Sequence, residues 1–359
     1  MHVGLFTEFS YPGKSELQMY QEVMAEIELA DQLGYDFFST TQSYGLDFAS
    51  CSPFPLGLYA AAAQRTKRIR FLTAILCVPL HHPAVLASEI AATDLLCGGR
   101  LELGLGRGHP WLYPRLGLDP EESRPKFEEG MELLLRIFNS EVVESYHGRF
   151  WSLGRFNLSP RPLQRPHPPI FIAAIPGSPS SQFATERGLG ITLSGHIGIP
   201  LPALKGAAEN YRNSLPRGER GEIILGMLVH VAETMEEARE NGIKALTEQI
   251  KLMFKRSGEF IAEHSDSQAY ASYRNMGQLL GGFLHPEDAR RAVEDSFPKH
   301  ALLWGTPGEV LEKIRFFVNE IKPTRLLLHM NAGGIEHEKV VRSMRLFADR
   351  ILPSLKDGD

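Results

Sequence analysis

Short apolar runs alternate along the chain with longer segments in which apolar residues recur every three or four positions. Runs of the first kind predict strands, and segments of the second kind predict amphipathic helices. Eight strands are predicted, at residues 3–9, 35–40, 69–78, 100–105, 170–174, 191–194, 223–231 and 325–330. Helices are predicted between and after them, most clearly at residues 16–33, 54–65, 84–96, 121–138 and 336–352.

Strands that alternate with helices are typical of parallel βα units, and eight such units predict a (β/α)₈ TIM barrel. A barrel of this kind needs about 250 residues, whereas the chain has 359. Glycines and prolines around an aromatic pair predict a hairpin and an extended crossing at 140–168, and a polar helical stretch covers 252–300. We therefore predict one domain over 1–359 with insertions at about 140–168 and 252–300. An open, doubly wound sheet is the competing architecture.

The composition and net charge of the chain exclude several classes of partner. A formal net charge of −5 argues against a nucleic-acid partner. Three scattered cysteines form neither a disulfide framework nor a thiolate metal site, and the 13 histidines show no metal-ligand spacing, so no metal is expected. Most of these histidines are expected to cap helices or to face water. Neither a signal peptide nor a run of about 20 apolar residues is visible, so no membrane association and a cytoplasmic location are expected.

The residues after each strand are the candidates for chemistry, because a TIM barrel carries its active site at the C-terminal ends of its strands. The segment 104–108 after the fourth strand lacks the Lys-Ser or Lys-Thr pair of a Walker loop. It also lacks the third glycine of the dinucleotide fingerprint, where His109 stands. Arg107 in this segment suits a terminal phosphate. A structural salt bridge is the alternative interpretation of this arginine.

Three serines follow the fifth strand and precede a predicted helix: Ser178, Ser180 and Ser181. Serines at such a position cap the helix, and together with free N–H groups at its start they also bind phosphate. Combined with Arg107, they predict one monophosphate held between the loops after strands four and five. A phosphate held by two loops fits FMN better than a dinucleotide.

Several stretches, in this order and spacing, resemble the bacterial luciferase-like monooxygenase family of flavin-dependent oxidoreductases. The resemblance covers nearly the whole chain. It rests on residues 30–36 (ADQLGYD), 73–76 (TAIL), 79–83 (PLHHP), 94–108 (DLLCGGRLELGLGRG), 122–130 (ESRPKFEEG), 166–170 (PHPPI), 305–310 (GTPGEV) and 333–344 (GGIEHEKVVRSM).

The resemblance implies a TIM barrel that binds reduced FMN at its C-terminal mouth. It implies a non-proline cis peptide bond at Ala74–Ile75, so that Thr73, Ala74 and Ile75 border the flavin ring. It places the FMN phosphate at Arg107 and the three serines. It further implies a separate NAD(P)H:flavin reductase as partner, and a homodimer formed through the second and third helices, whose alanines permit close packing.

One departure from the family concerns the residues after the second strand. Many members carry Glu-His-His there, whereas this chain carries Gln42, Ser43 and Tyr44. With His109, these three are the catalytic candidates. Either His81, His82 or His109 replaces the missing imidazole from a neighbouring loop, or the chemistry needs no acid–base histidine, or oxygenase activity has been lost.

Three functions therefore remain open. The first is an FMN-dependent monooxygenase that uses O₂ to oxygenate a small, apolar organic substrate. The substrate would meet aromatic residues at the mouth, with the candidates Phe37, Phe38, Tyr44, Trp111 and Tyr113, about half of which are expected to belong to the core instead. The second is an oxidoreductase of the same superfamily that depends on the deazaflavin F420. The third is a non-catalytic flavin-binding protein.

Overall fold

Eight parallel strands close into a barrel in the computed structural model, which describes residues 1–9, 13–45, 52–176, 178–216, 218–263 and 286–356. The order around the barrel is β1, β2, β3, β5, β8, β9, β10 and β12, and β12 pairs with β1 to close it. The prediction of a (β/α)₈ barrel is confirmed. The strands are β1 (His2–Thr7), β2 (Phe37–Thr40), β3 (Arg70–Thr73), β4 (Leu76–Cys77), β5 (Leu101–Gly106), β6 (Tyr146–His147), β7 (Ser152–Leu153), β8 (Ile170–Ala174), β9 (Gly190–Leu193), β10 (Ile223–Val231), β11 (Leu302–Gly305) and β12 (Arg325–Asn331).

Helices connect the barrel strands. The first begins where the Ser15 hydroxyl accepts a hydrogen bond from the Gln18 N–H, and it ends at Gly34, whose φ of 89° suits only glycine well. None of the helices described is long and apolar enough to cross a lipid bilayer. They are α1 (Glu16–Leu33), α2 (Pro55–Ala63), α3 (Pro83–Leu96), α4 (Leu112–Arg115), α5 (Ser123–Asn139), α6 (Ser180–Thr185), α7 (Leu201–Asn213), α8 (Met235–Glu263), α9 (Pro286–Asp295), α10 (Pro307–Ile321), α11 (His337–Arg350) and α12 (Leu352–Lys356).

The predicted third strand is divided into β3 and β4. Between them the Ala74–Ile75 peptide bond is cis, as the family resemblance implies. The pairing with β5 shifts by one residue across this point, which leaves one extra residue on the β3–β4 side. An extra residue of this kind is a β-bulge, a feature common next to active sites.

Thr73 joins β3 to β5 at this bulge. Its buried hydroxyl donates to the Gly104 carbonyl at 2.8 Å and accepts from the Gly104 N–H at 2.9 Å. A Cβ at position 104 would lie 2.0 Å from the Thr73 carbonyl oxygen, so this approach of the two strands requires glycine. The close contact fixes the strand end that carries Ala74 and Ile75.

The segment predicted as the first insertion contains the antiparallel hairpin β6–β7, as expected. The Glu129 carboxylate of α5 ties this hairpin down by accepting from the N–H groups of Arg149, Phe150 and Trp151. In the second predicted insertion, α8 continues to Glu263, α9 covers Pro286–Asp295, and 264–285 lie outside the described residues. The strand β11, which pairs with β10 after this segment, was not predicted.

Aromatic and aliphatic side chains fill the barrel. The interior cluster consists of Phe6, Phe37, Leu72, Phe171, Ile224 and Leu327. Phe37 belongs to it, whereas the neighbouring Phe38 packs into the layer between strands and helices. Phe37 and Phe38 are thus among the aromatic candidates that belong to the core rather than to the mouth, because a strand in a parallel barrel is buried on both faces and sends neighbouring side chains to opposite sides.

Ion pairs close the opposite end of the barrel, where the strands begin. Glu102 is buried, and it lies 2.6 Å from the Arg70 guanidinium and 2.8 Å from that of Arg325. Arg325 also contacts Glu222 at 3.0 Å and lies over the Phe171 ring. In TIM barrels this face serves stability and the opposite face serves chemistry.

Candidate active site

Gln42 connects the loop after β2 to the segment after β3. Its side-chain oxygen accepts a hydrogen bond from the Cys77 N–H at 2.9 Å, and the same oxygen lies 3.1 Å from Nε2 of His81. Gln42 is buried and His81 is half-buried. The glutamine therefore anchors an imidazole that comes from a neighbouring loop.

Tyr44 completes this group, with its hydroxyl 3.4 Å from His81 Nε2. Burial raises the pKa of Tyr44 to about 12, and the charges of Cys77 and Glu89 act in the same direction. Burial lowers the pKa of His81. At neutral pH the phenol therefore keeps its proton and the imidazole is uncharged.

The other two histidines that could replace the missing imidazole have different surroundings. Nδ1 of His82 accepts from the Ala84 N–H at 3.2 Å and so caps the start of α3. His109 is exposed and stacks on Trp111, with ring centroids 4.3 Å apart and planes 9° apart. Gln42, Tyr44 and His81 are thus brought together, while His109 lies on the Trp111 ring.

Ser43, the remaining catalytic candidate, is buried between Gln42 and Tyr44 in the chain. Its backbone N–H donates to the Ser52 carbonyl at 3.2 Å. This bond holds the loop after β2 against the start of the segment that leads into α2.

The cis-bonded residues face two different apolar groups. Ala74 packs against the interior cluster, whereas Ile75 packs against a second cluster formed by residues at or after strand ends. The rim cluster, as we call it, consists of the buried Cys77, Trp111, Leu112 and Tyr113, with Ile75, Leu80, Leu118 and Ile175 packed around them. Of the aromatic residues predicted at the mouth, Trp111 and Tyr113 belong to this cluster.

Arg107 follows β5 and is half-buried. Its Nη1 lies 3.5 Å from the hydroxyl of Ser123, the first residue of α5, and the Tyr113 hydroxyl donates to its carbonyl at 2.6 Å. Gly108 follows with a φ of 80°, and a Cβ there would lie 2.7 Å from Cys77 Sγ. The guanidinium therefore lies against the start of α5 rather than extending into bulk solvent.

The three serines lie after β8, the strand next to β5. The pairing of Leu105 with Ile172 places the two following loops side by side. The Ser178 hydroxyl is buried, and among the described residues it has no hydrogen-bond partner. Ser180 is buried and Ser181 is half-buried.

The prediction that these serines cap a helix is wrong. Helix α6 begins at Ser180, its N-cap residue is Pro179, and no side chain makes a capping hydrogen bond. The helix ends at Thr185 rather than near Arg187. Because Pro179 occupies the N-cap, Ser178 lies before the cap, and Ser180 and Ser181 lie in the first turn. At these positions a serine hydroxyl does not cap the free N–H groups.

A phosphate group fits these two loops. The Ser178 hydroxyl needs an acceptor or donor, because a buried polar group without a partner costs about 1–3 kcal/mol. Phosphate oxygens accept hydrogen bonds from hydroxyls and bind arginine strongly. The residues present are therefore the donors that a terminal phosphate requires.

Buried histidines are a feature that the sequence analysis missed. His196 and His329 lie against Phe6 of the interior cluster, with their own ring centroids 5.7 Å apart. Burial lowers the pKa of His196 to about 4 and that of His329 well below its usual value. Burial also lowers the pKa of His230 to about 4. These three imidazoles are therefore buried and uncharged, whereas most histidines were expected to cap helices or to face water.

Comparison with known proteins adds three findings. A family model described as luciferase-like monooxygenase matches residues 1–321. The oxygenase component of the flavin-dependent trigonelline monooxygenase of Acinetobacter baylyi is 29% identical over 331 residues, 86% of this chain and 91% of the relative. An F420-dependent glucose-6-phosphate dehydrogenase of Beutenbergia cavernae is 28% identical over 255 residues, 67% of this chain and 75% of the relative.

A solved structure shares the fold over the full length. The oxygenating constituent of 3,6-diketocamphane monooxygenase from Pseudomonas putida, a type II Baeyer–Villiger monooxygenase in complex with FMN, matches with a TM-score of 0.75. The match covers 98% of both chains at 22% identity, which supports the likeness of fold alone.

Proposed function

The chain belongs to the luciferase-like monooxygenase family of flavin-dependent oxidoreductases, and on this premise we propose that it is an FMN-dependent monooxygenase. In this proposal it uses reduced FMN and O₂ to oxygenate a small, largely apolar organic substrate. The observation that carries the proposal is the position of Arg107 on the loop beside the buried, unpartnered hydroxyl of Ser178.

In the proposed complex these two loops bind the FMN phosphate. Arg107 supplies the countercharge, and Ser178 supplies a buried hydroxyl; Ser180 and Ser181 are the further donors of this loop. The segment 104–108 covers the end of β5 and the two residues after it, and α4 begins only at Leu112. It therefore does not form the strand–turn–helix of a dinucleotide site, which supports a mononucleotide.

Bound FMN in its reduced form supplies the electrons for the reaction with oxygen. The residues of the chain orient the reactants and exclude water. Thr73, Ala74 and Ile75 border the flavin ring in this proposal, and the rim cluster shields the mouth from water, which protects reactive species in flavin chemistry. Gln42, Ser43, Tyr44 and His109 surround the substrate as hydrogen-bonding groups.

The reduced cofactor comes from a separate NAD(P)H:flavin reductase. Two observations support this part of the proposal: the segment after β5 does not form a dinucleotide turn, and the relative from Acinetobacter baylyi is itself an oxygenase component. We expect the purified chain with FMN to leave NADH unoxidised in air, and NADH oxidation by the chain alone would contradict a separate reductase.

An F420-dependent oxidoreductase is the second candidate function, favoured by the likeness to the glucose-6-phosphate dehydrogenase of Beutenbergia cavernae. Such an enzyme transfers hydride and does not need oxygen. Its cofactor would occupy the same mouth, so binding affinity separates the two candidates.

Parallel equilibrium titrations with FMN, riboflavin and F420 test the proposal. We expect FMN to bind with a Kd in the micromolar range or tighter, and F420 to bind at least about tenfold more weakly, a difference of about 1.4 kcal/mol. Riboflavin lacks the phosphate and should also bind more weakly than FMN. Tighter binding of F420 than of FMN would favour the F420-dependent oxidoreductase. A protein that binds no flavin would contradict both the FMN-dependent monooxygenase and a non-catalytic flavin-binding protein.

We also propose that the chain forms a homodimer through α2 and α3, which pack against each other. Large apolar side chains near their ends are exposed, with exposures of 43–57%: Phe54, Val85, Leu95 and Leu96. Burying them against a second copy would be favourable.

Light scattering at micromolar concentration should give twice the 40.1 kDa of one chain, and Leu96→Glu should shift the mass towards one chain. A monomeric wild type would contradict the proposal.

A further inference from the structure

We propose that His81 is the proton-accepting residue of the barrel mouth, held by Gln42 as the Nε2–H tautomer with Nδ1 open to the ligand. The identity of that ligand rests on the proposed function, whereas the arrangement of His81 itself does not.

The tautomer follows from a chain of two hydrogen bonds. The Cys77 backbone N–H can only donate, so the Gln42 amide must present its oxygen to it at 2.9 Å. The same oxygen lies 3.1 Å from His81 Nε2. Two lone pairs would repel at that distance, so Nε2 carries the proton. A neutral imidazole has one N–H, and Nδ1 therefore carries the lone pair.

Nδ1 of His81 is also accessible. Among the described residues it has no hydrogen-bond partner, and it is not one of the side-chain nitrogens sealed from solvent. Nδ1 of His196 and Nδ1 of His329, by contrast, are sealed and without a partner. Both nitrogens of His329 are thus unavailable to a ligand, because its Nε2 lies 3.0 Å from the Asn331 carbonyl, whereas Nδ1 of His81 is open.

Burial keeps this imidazole uncharged near neutral pH, and three titratable groups lie around it or around its neighbour Tyr44. They are the Tyr44 hydroxyl and the Cys77 thiol beside it, and the Glu89 carboxyl of α3, whose charge acts on Tyr44. Burial raises the pKa of Tyr44 and that of Cys77 to about 12 each, and it also raises the pKa of Glu89. Burial lowers the pKa of His81, so its lone pair is lost only as the pH falls below the usual histidine range.

The proton transfer proceeds from ligand to imidazole. The Nδ1 lone pair takes the proton of an O–H or N–H group of the ligand, which keeps the electron pair of the broken bond, and His81 becomes an imidazolium. Gln42 stabilises the new charge through its oxygen on Nε2–H, and the Tyr44 oxygen lies 3.4 Å from the same nitrogen. The reverse transfer returns the proton to the product or to water. The ligand class is thus a small molecule that carries an acidic O–H or N–H.

Nitrogen-15 NMR of the full-length protein without flavin tests the arrangement. We expect His81 as the Nε2–H tautomer, with a pKa below 6.5. Gln42→Glu replaces the amide oxygen that contacts His81 Nε2 by a carboxylate oxygen, and it should raise the pKa of His81 by about one to three pH units. Tyr44→Phe should leave the tautomer unchanged, and His147→Gln, on the exposed hairpin, should leave both tautomer and pKa unchanged. An Nδ1–H tautomer in the wild type, or an unchanged pKa in a folded Gln42→Glu variant, would overturn the proposal.

Acylation by diethyl pyrocarbonate, which attacks accessible neutral imidazoles, tests the place of His81 in the site. Peptide mapping should show modification of His81 and protection of His329. Saturating FMN should slow modification of His81 at least about tenfold and leave that of His147 unchanged. Modification of His81 that bound FMN does not slow would overturn its role. If FMN does not bind at all, the proposed function fails, and the NMR result still decides the arrangement of His81.

Discussion

Arg107→Ala is expected to weaken FMN binding by about ten- to a hundredfold while leaving riboflavin binding unchanged. A hydrogen bond to a charged group contributes about 1.5–3 kcal/mol, and about 1.4 kcal/mol corresponds to a factor of ten in affinity. Because the guanidinium lies on the phosphate-binding side in our account, its loss should affect only the cofactor that carries a phosphate. Quenching of flavin fluorescence in parallel titrations measures both affinities.

Arg155→Ala is the matched control. Arg155 lies in the exposed insertion near the hairpin, where it pairs with the equally exposed Glu144 at 3.6 Å. The same change of residue there should alter neither affinity. Equal losses for FMN and riboflavin in Arg107→Ala would show that Arg107 supports the flavin ring or the fold rather than the phosphate, and unchanged FMN affinity would remove it from the site.

Glu102→Gln is expected to lower the free energy of unfolding by about 3 kcal/mol. The substitution keeps the shape of the side chain but removes the charge between Arg70 and Arg325, whose side chains are 34% and 12% exposed. Removing one partner of a buried ion pair is costly because the remaining charge stays buried without compensation. Arg325 keeps Glu222, which places the expected loss at the lower end of the range for such pairs. Urea unfolding followed by circular dichroism measures the change.

Glu144→Gln provides the comparison for this prediction. It breaks an ion pair that is exposed on both sides, and such pairs contribute about 0–1 kcal/mol. A loss of less than about 1 kcal/mol in Glu102→Gln would mean that the ion pairs at the base of the barrel do not stabilise it. FMN affinity should be unchanged in folded Glu102→Gln, because Glu102 lies at the end of the barrel away from the mouth.

The barrel was predictable because all eight of its strands are apolar runs separated by periodic helices. Two of them, 170–174 and 223–231, have the predicted bounds in the structure. The strand β11 was missed because its four residues closely follow the polar segment that was interpreted as an insertion. The last helix was predicted over 336–352, yet α11 ends at Arg350. Pro353 lies in the first turn of α12, where proline is tolerated because its missing N–H has no partner in the helix.

The site was less predictable, because its contacts join residues far apart in the chain. The link from Gln42 to His81 depends on two loops at neighbouring strand ends, and no local pattern records it. The position of His329 could have been predicted from the sequence. Arg325, Leu327 and His329 stand two residues apart along β12, and a period of two puts their side chains on one face of the strand. Which of the aromatic candidates belong to the core could not be predicted, because polarity patterns do not distinguish the mouth of a barrel from its interior.

The most direct test of the central claim, that two neighbouring loops hold one phosphate, is a crystal structure of the complex with oxidised FMN. Our account predicts phosphate oxygens within hydrogen-bond distance of both the Arg107 guanidinium and the Ser178 hydroxyl. A phosphate bound elsewhere, or an Arg107 side chain directed into solvent in that complex, would contradict it.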